Sequence, residues 1–506
     1  YIYEDKIPEI IETKYTNILL PMNSENYLTI LGQIKDIKMQ TLLFLDKLKR
    51  IELVIENEST VINKICYIKD TDNDGKVLTI KYSGKEDKYW HKNLKVLKPE
   101  GLLQENREYS KDSNITVAAP LTSEIEQVNL FCYLPTEIDT GLPFIINCDF
   151  ILTPSREDFE KDNKWNDWIC SEIPRAYSEM HKEMIENKLY RYLSYKFIPD
   201  ISEVKILNFK NIAVKIIELL QSIDSVIAYD DKTYNPKCVR LIEDDETAKI
   251  ILNKNWPDSE INKSDIPAYL KDDQHIIIHN KISTFADKLK TIGCKDIDCE
   301  EIIECLKDKK WLKNKSAEDK KWLKELYYLI FEKIYKKLKR DNLILFDRIK
   351  RTLLELEFLL SEGGEFISIE KMIFLNIAQK EILINTPPDI ENNTFALKCS
   401  ASENLNEHKF TLKEIKKYDI DLQFDDFLNF IEDDKILKSK VNKSVKDKLS
   451  WHEKLYRYIF NNLKETPFES DNNQPHIFIG FDNELYKLSD FIIVNEEEKK
   501  LLIDLY

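Results

Sequence analysis

Along the chain the spacing of apolar positions changes character near residue 154. Before it, short apolar runs are separated by turn-forming clusters. The stretch 15–22, YTNILLPM, reads as a strand ending at Pro21, and 37–50, IKMQTLLFLDKLKR, has helical spacing with Met39, Leu42, Leu45 and Leu48 on one face. VINKICYI (61–68) and KVLTIKY (76–82) flank KDTDNDG, whose Asp-Gly pair predicts a hairpin. NITVAAPL (114–121), VNLFCYLP (128–135) and LPFIINCDFIL (142–152) predict three further strands. After Pro154 the residues 156–197 carry large apolar side chains at helical spacing almost throughout.

The rest of the chain repeats itself. WLKELYYLIF (322–331) matches WHEKLYRYIF (451–460), with Trp, Leu-Tyr and Ile-Phe at the same offsets. Each copy follows a related helical stretch (297–312 and 420–437) and precedes a hairpin-like segment (357–375 and 476–494). Residues 226–242, VIAYDDKTYNPKCVRLI, read as an earlier copy of that hairpin. The pattern therefore predicts an α+β protein, helix-rich overall, in which a mixed sheet with helices is followed by tandem helix-plus-hairpin modules.

Composition narrows the function classes. A length of 506 residues suggests several domains, and 42% hydrophobic content supplies real cores. No apolar run is long enough to predict a transmembrane helix. A formal charge of -16 argues against nucleic acid as the main partner, and the basic stretch 307–340 reads as a solvated helix face. Nine cysteines are scattered without a C-x-x-C pair, and no signal peptide is visible, so a reduced, cytoplasmic protein is expected. Nine glycines is about a quarter of ordinary usage. Neither phosphate-binding glycine motif, G-x-x-x-x-G-K-[ST] or G-x-G-x-x-G, occurs.

Several constellations invite chemistry and have simpler readings. DTDNDG (70–75) opens like a calcium loop, but Lys81 stands where a bidentate Glu is needed, so it reads as a turn. His275 and His279 flank three isoleucines; on a strand their rings are about 13 Å apart, too far for one ion. Cys294, Cys299 and Cys305 lack a nearby fourth ligand and read as packing residues. No metal site and no nucleophile–base set is expected. Arg156 remains. With Thr153 as N-cap and Pro154 in the first turn, the spacing places it at a helix N-terminus, a corner suited to an anion. A salt bridge to Glu157 or Asp158 is the competing reading.

The motifs around Arg156 resemble the sacsin and No Vein group of ATP-binding proteins. That group is related to the ninety-kilodalton heat-shock chaperones of the GHKL (histidine kinase-like) ATPase superfamily. The resemblance rests on Leu134-Pro135-Thr136, Gly141-Leu142-Pro143-Phe144, Ser155-Arg156-Glu157 and Trp165-Asn166, and covers about residues 15–175. It implies that 1–25 closes an ATP-binding domain, that 26–175 is a chaperone-type middle domain, that 176–280 is a helical linker with a first weak hairpin module, and that 281–390 and 391–506 are repeat modules. By the same resemblance Arg156, flanked by Ser155 and Glu157, reaches the γ-phosphate of ATP. ATP and Mg2+ are then held mainly by residues upstream of Tyr1, and these residues alone are expected to be inactive. Implied partners are protein clients or subunits of a prokaryotic, anti-phage defence system, with no membrane, and a homodimer is compatible. A nucleotide-independent protein-binding scaffold built from the repeats is the alternative, and a metal-dependent hydrolase or nuclease a distant third.

Overall fold

The computed structural model describes residues 29–462, omitting 33, 35–38, 58–59, 106, 123–127, 161, 243, 253–254, 260, 320, 385–394, 418 and 434–453, together with 478–479 and 485–486. The strand expected over 15–22 lies outside the described residues. The fold is α+β and helix-rich, as the pattern predicts. The chain divides into two compact units, the first comprising residues 1–227, 231–237 and 284–294 and the second the remainder.

The first unit is organised by an eight-stranded sheet: β1 (Arg50–Asn57), β2 (Thr60–Thr71), β3 (Val77–Tyr82), β4 (Lys85–Leu97), β5 (Asp112–Pro120), β6 (Asn129–Cys132), β7 (Leu134–Asp139) and β8 (Ile145–Cys148), in the order β1-β2-β3-β4-β5-β8-β6-β7. Every pairing is antiparallel except β6 with β8. The expected β2–β3 hairpin forms. The Asp72 carboxylate accepts from the backbone N–H groups of Lys76 and Val77, and Gly75 takes φ +71°. DTDNDG is thus turn chemistry.

One face of this sheet is sealed by Leu42, Leu43 and Phe44, packed with Tyr67, Leu78, Ile80, Tyr89 and Phe131. These residues were expected in a helix over 37–50; the described part is one 3-10 turn, Met39–Leu42, followed by turns. Helix α1 (Lys164–Glu186) packs on β4 and β5. Its buried Trp165, Trp168, Ile169, Ile173, Ala176, Tyr177, Met180 and Met184 recur at helical spacing. Helix α2 (Leu207–Ser222) packs against α1. The hairpin of β9 (Val226–Ile227) and β10 (Thr233–Tyr234) also lies in this unit.

In the second unit, three short strands run parallel in the order β12-β11-β13: β12 (Ile276–Ile277), β11 (Val239–Leu241) and β13 (Lys295–Asp296). His275 and His279 flank buried isoleucines, as the strand reading requires. Helix α3 (Asp245–Ile251) follows β11. Helix α4 (Trp322–Tyr328) continues through a π-helical turn, Leu329–Tyr335, towards the hairpin of β14 (Leu359–Leu360) and β15 (Phe366–Ile367). A second parallel set follows, with Ile373 bridged to Ser400 and Phe374 to Asp421, and helix α5 (Ile377–Ile384) leaves its central strand. A third hairpin pairs β16 (Phe478–Ile479) with β17 (Leu485–Tyr486).

The repeat is therefore geometric as well as sequential. Val226 pairs with Tyr234, Leu359 with Ile367 and Phe478 with Tyr486, the same eight-residue step in each hairpin. Asp231 and Gly364, at equivalent places in two of the turns, are both left-handed (φ +65° and +78°).

Candidate functional site

The segment that delivers Arg156 begins at a required glycine. Gly141 has φ +63°, and a Cβ there would lie 3.0 Å from the Glu203 carbonyl oxygen and 3.2 Å from the Val204 Cα. Strand β8 follows with all four residues buried. The two polar breaks in this apolar run both have structural work. The Asn147 side-chain oxygen accepts from the Tyr133 N–H at 2.7 Å and stabilises the tight turn from β6 to β7. Asp149 pairs with Arg107 at 2.7 Å, and its carbonyl accepts from the Trp165 indole at 2.7 Å. The Arg107 guanidinium stacks over the Trp165 ring, 5.6 Å from its centroid. Burial raises the Asp149 carboxyl pKa, and Arg107 opposes that shift.

Helix α1 does not start at Pro154. Thr153, Pro154, Ser155 and Arg156 form a β-turn closed by the Arg156 N–H on the Thr153 carbonyl (2.9 Å). Arg156 itself is left-handed, φ +61°. The helix begins ten residues after Pro154, at Lys164, with the Asn163 side chain accepting from the N–H groups of Trp165 and Asn166. The expectation that Arg156 projects from a helix N-terminus is therefore corrected. A helix cannot propagate through a left-handed residue, and the Arg156 carbonyl is turned to the Glu137 N–H (3.4 Å) on β7.

The side chain of Arg156 is half-buried. Its Nη2 donates to the carbonyls of Cys132 (3.1 Å) and Leu134 (3.2 Å), which flank the β6–β7 turn. Neither Glu157 nor Asp158 pairs with it, so the salt-bridge reading of the sequence is not what the structure contains. The carbonyl contacts fix the guanidinium through one terminal nitrogen. Among the described residues Nε and Nη1 find no protein acceptor, and these are the donors available to an anion.

Ser155 and Glu157 are both exposed. The Ser155 hydroxyl lies 3.3 Å from that of Thr153. Glu157 borders a cavity of about 890 Å³, whose lining also includes Lys196, Lys205, Glu203 and Lys288 but not Arg156. There, Lys288 donates to the carbonyls of Lys196 (2.6 Å) and Ile198 (2.8 Å), and burial lowers its pKa. The three residues Ser155, Arg156 and Glu157 do not converge on one point. Arg156 alone among them is a fixed cation. Among the described residues no group of three His, Cys, Asp or Glu is placed to hold a metal ion, and no helix is long and apolar enough to cross a membrane.

Sequence reasoning did not single out Arg107, Asn147 or Asn166 as supports of the Arg156 turn. The signal existed for Asn147 as a polar break in an otherwise apolar strand. A stretch of 51 residues, 10% of this chain, is 49% identical to Protein NO VEIN of Arabidopsis thaliana and spans 2% of that protein's length. No family model matches the chain. No solved structure matches it.

Proposed function

We propose that Arg156 is a nucleotide-sensing arginine in a sacsin and No Vein-like protein of the GHKL ATPase class. Its guanidinium contacts the γ-phosphate of ATP held, with Mg2+, by a separate GHKL-type domain. Docking of that domain onto the β6–β7 turn would couple nucleotide state to the repeat modules, which contact protein partners in a chaperone-like or defence role. The observation that carries this reading is the way Arg156 is held: a left-handed turn residue, its guanidinium fixed on two backbone carbonyls, with Nε and Nη1 turned to no protein acceptor among the described residues. Residues in such sparsely populated backbone conformations cluster at functional sites. The local likeness to Protein NO VEIN supports the family reading. In the natural full-length protein, Arg156→Ala is expected to leave ATP binding within a few fold and to cut hydrolysis by about two orders of magnitude, the scale for a preorganised donor to a developing anion. Unchanged turnover rejects the assignment.

The recurrence of one hairpin register in three places favours a second reading, a protein-binding scaffold that needs no nucleotide. On that reading Arg156→Ala changes neither nucleotide turnover nor partner binding.

A further inference from the structure

The two carbonyls that hold Arg156 Nη2 belong to peptides of different kinds. The Leu134 carbonyl (3.2 Å) is joined to the nitrogen of Pro135, which carries no hydrogen, so no hydrogen bond can steer that peptide from its far side. The Cys132 carbonyl (3.1 Å) belongs to the Cys132–Tyr133 peptide, whose N–H donates to Oδ1 of Asn147 at 2.7 Å. This peptide is trans, and in a planar trans unit the N–H and C=O point in opposite directions. Asn147 and Arg156 therefore grip the two ends of one rigid plate. Fixing its N–H on Asn147 aims its C=O at the guanidinium, and each bond polarises the plate in favour of the other.

The plate needs this hold. Tyr133 has φ +64°, a conformation that a tyrosine rarely adopts, and its side chain is more than half exposed, so ring packing does little to keep it there. Asn147 supplies a firm base. It is 8% exposed, lies between the buried Ile146 and Cys148, and its backbone is registered against Thr116 on β5 and Phe131 on β6. An apolar residue would suit that position without the cost of burying an amide. The amide is spent on the peptide that holds the arginine.

We infer that Asn147 is a positioning residue for Arg156, acting through the Cys132–Tyr133 peptide plane and so setting the direction in which the guanidinium meets its anion. Its effect on turnover rests on the reading of Arg156 as the γ-phosphate contact. Loss of the Asn147 acceptor lets Tyr133 relax from its left-handed conformation. The plate then turns, the Cys132 carbonyl leaves Nη2, and the guanidinium loses one of its two anchors. The donor is still present but no longer preorganised.

The test uses the natural full-length protein and two readouts. The first is ATP turnover. Asn147→Ala is expected to lower kcat about tenfold or more with KM for ATP within a few fold, as for a misaligned group. Asn147→Leu keeps the volume without the acceptor and should do the same if Ala folds poorly. Asn147→Asp keeps an oxygen for the Tyr133 N–H and should recover most of kcat. Asn147→Ala/Arg156→Ala should be no slower than Arg156→Ala alone. The control Tyr195→Phe, which unpairs the Ile227 N–H, should leave kcat unchanged. The second readout is the Nε–Hε NMR signal of Arg156, identified by its loss in Arg156→Lys. It should report slow guanidinium rotation in wild type, Asn147→Asp and Tyr195→Phe, and fast rotation in Asn147→Ala and Asn147→Leu. If Arg156→Ala slows turnover and neither Asn147→Ala nor Asn147→Leu does, the inference is overturned and the γ-phosphate reading stands. If Arg156→Ala leaves turnover unchanged, that reading falls and the NMR signal alone decides. A guanidinium no more mobile in Asn147→Ala and Asn147→Leu than in wild type overturns the inference in either case. Equal slowing in Tyr195→Phe, or additive losses in the double variant, overturns it as well, by leaving Asn147 a stability role only.

Discussion

Asn166 holds both backbone groups of Ile151: its Nδ2 donates to the Ile151 carbonyl at 2.7 Å, and its Oδ1 accepts from the Ile151 N–H at 2.8 Å. A side-chain amide thus does for the end of the β8 segment what a neighbouring strand would do. It ties the first turn of α1 to the residues that lead into the Arg156 turn. Replacing Asn166 with Ala removes both bonds and leaves the Ile151 N–H unpaired, while the Ile151 carbonyl keeps the Glu160 N–H (3.2 Å). The expected loss is about 1–3 kcal/mol by the usual scale for one group left unpaired. Denaturant unfolding measures it. Asn166→Asp keeps the acceptor and loses the donor, so it should fall between wild type and Ala.

Gly141 offers a sharper steric test. Its positive φ and the backbone of Glu203 and Val204 both oppose a side chain. Gly141→Ala adds one methyl group and is expected to destabilise the first unit by more than about 1 kcal/mol, the direction opposite to Gly→Ala at an unconstrained site. A thermal unfolding midpoint equal to or above that of wild type would contradict the close approach.

The turn segments show where the sequence was readable and where it was not. The β2–β3 hairpin was legible because its Asp-Gly turn and flanking alternation are local signals. The three repeat hairpins were legible for the same reason, reinforced by their recurrence. The turn from β6 to β7 was not: VNLFCYLP reads as one strand, yet Tyr133 at φ +64° reverses it. What holds that turn is Asn147, fourteen residues on, and no window of sequence contains both as a signal. Likewise Thr153-Pro154 imitates a helix start. The outcome is decided by a left-handed Arg156 and a contact with Glu137 on another strand. At the candidate site, the sequence motif located Arg156, while the geometry that fixes its guanidinium comes from carbonyls more than twenty residues away.

Two of the hairpins share a tyrosine clamp. The Tyr327 hydroxyl accepts from the Leu360 N–H at 2.9 Å and lies 3.5 Å from the Phe358 carbonyl. The Tyr195 hydroxyl accepts from the Ile227 N–H at 2.8 Å and donates to the Ser225 carbonyl at 3.1 Å. Ile227 and Leu360 occupy the same hairpin position. Tyr→Phe at either site keeps the ring and leaves a buried N–H unpaired, an expected cost of about 1–3 kcal/mol. Amide hydrogen exchange provides the local readout: exchange at Leu360 should accelerate in Tyr327→Phe, and at Ile227 in Tyr195→Phe, each without the other. Protection unchanged at both amides would remove the clamp from the account of the repeats.

His181 gives the first unit an acid-sensitive core. It is 1% exposed, faces the ring of Tyr177, and donates from Nε2 to the Ser225 carbonyl at 3.3 Å. Burial lowers its pKa from 6.5 to about 4. The unfolded chain therefore binds a proton through the window between these values while the folded chain does not, so stability falls as pH drops from 6.5 towards 4 and levels off below. The full loss is on the order of 3 kcal/mol, since each tenfold drop in proton affinity on folding costs about 1.4 kcal/mol. Carboxylates titrate in the lower half of the same window, so the contribution of His181 is isolated by difference. His181→Gln removes the titrating group, and the gap between the two pH–stability curves should narrow or invert as pH falls from 6.5 to 4. Parallel curves across that window would mean that His181 is protonated in the folded core, and that the Ser225 contact does not hold a neutral ring.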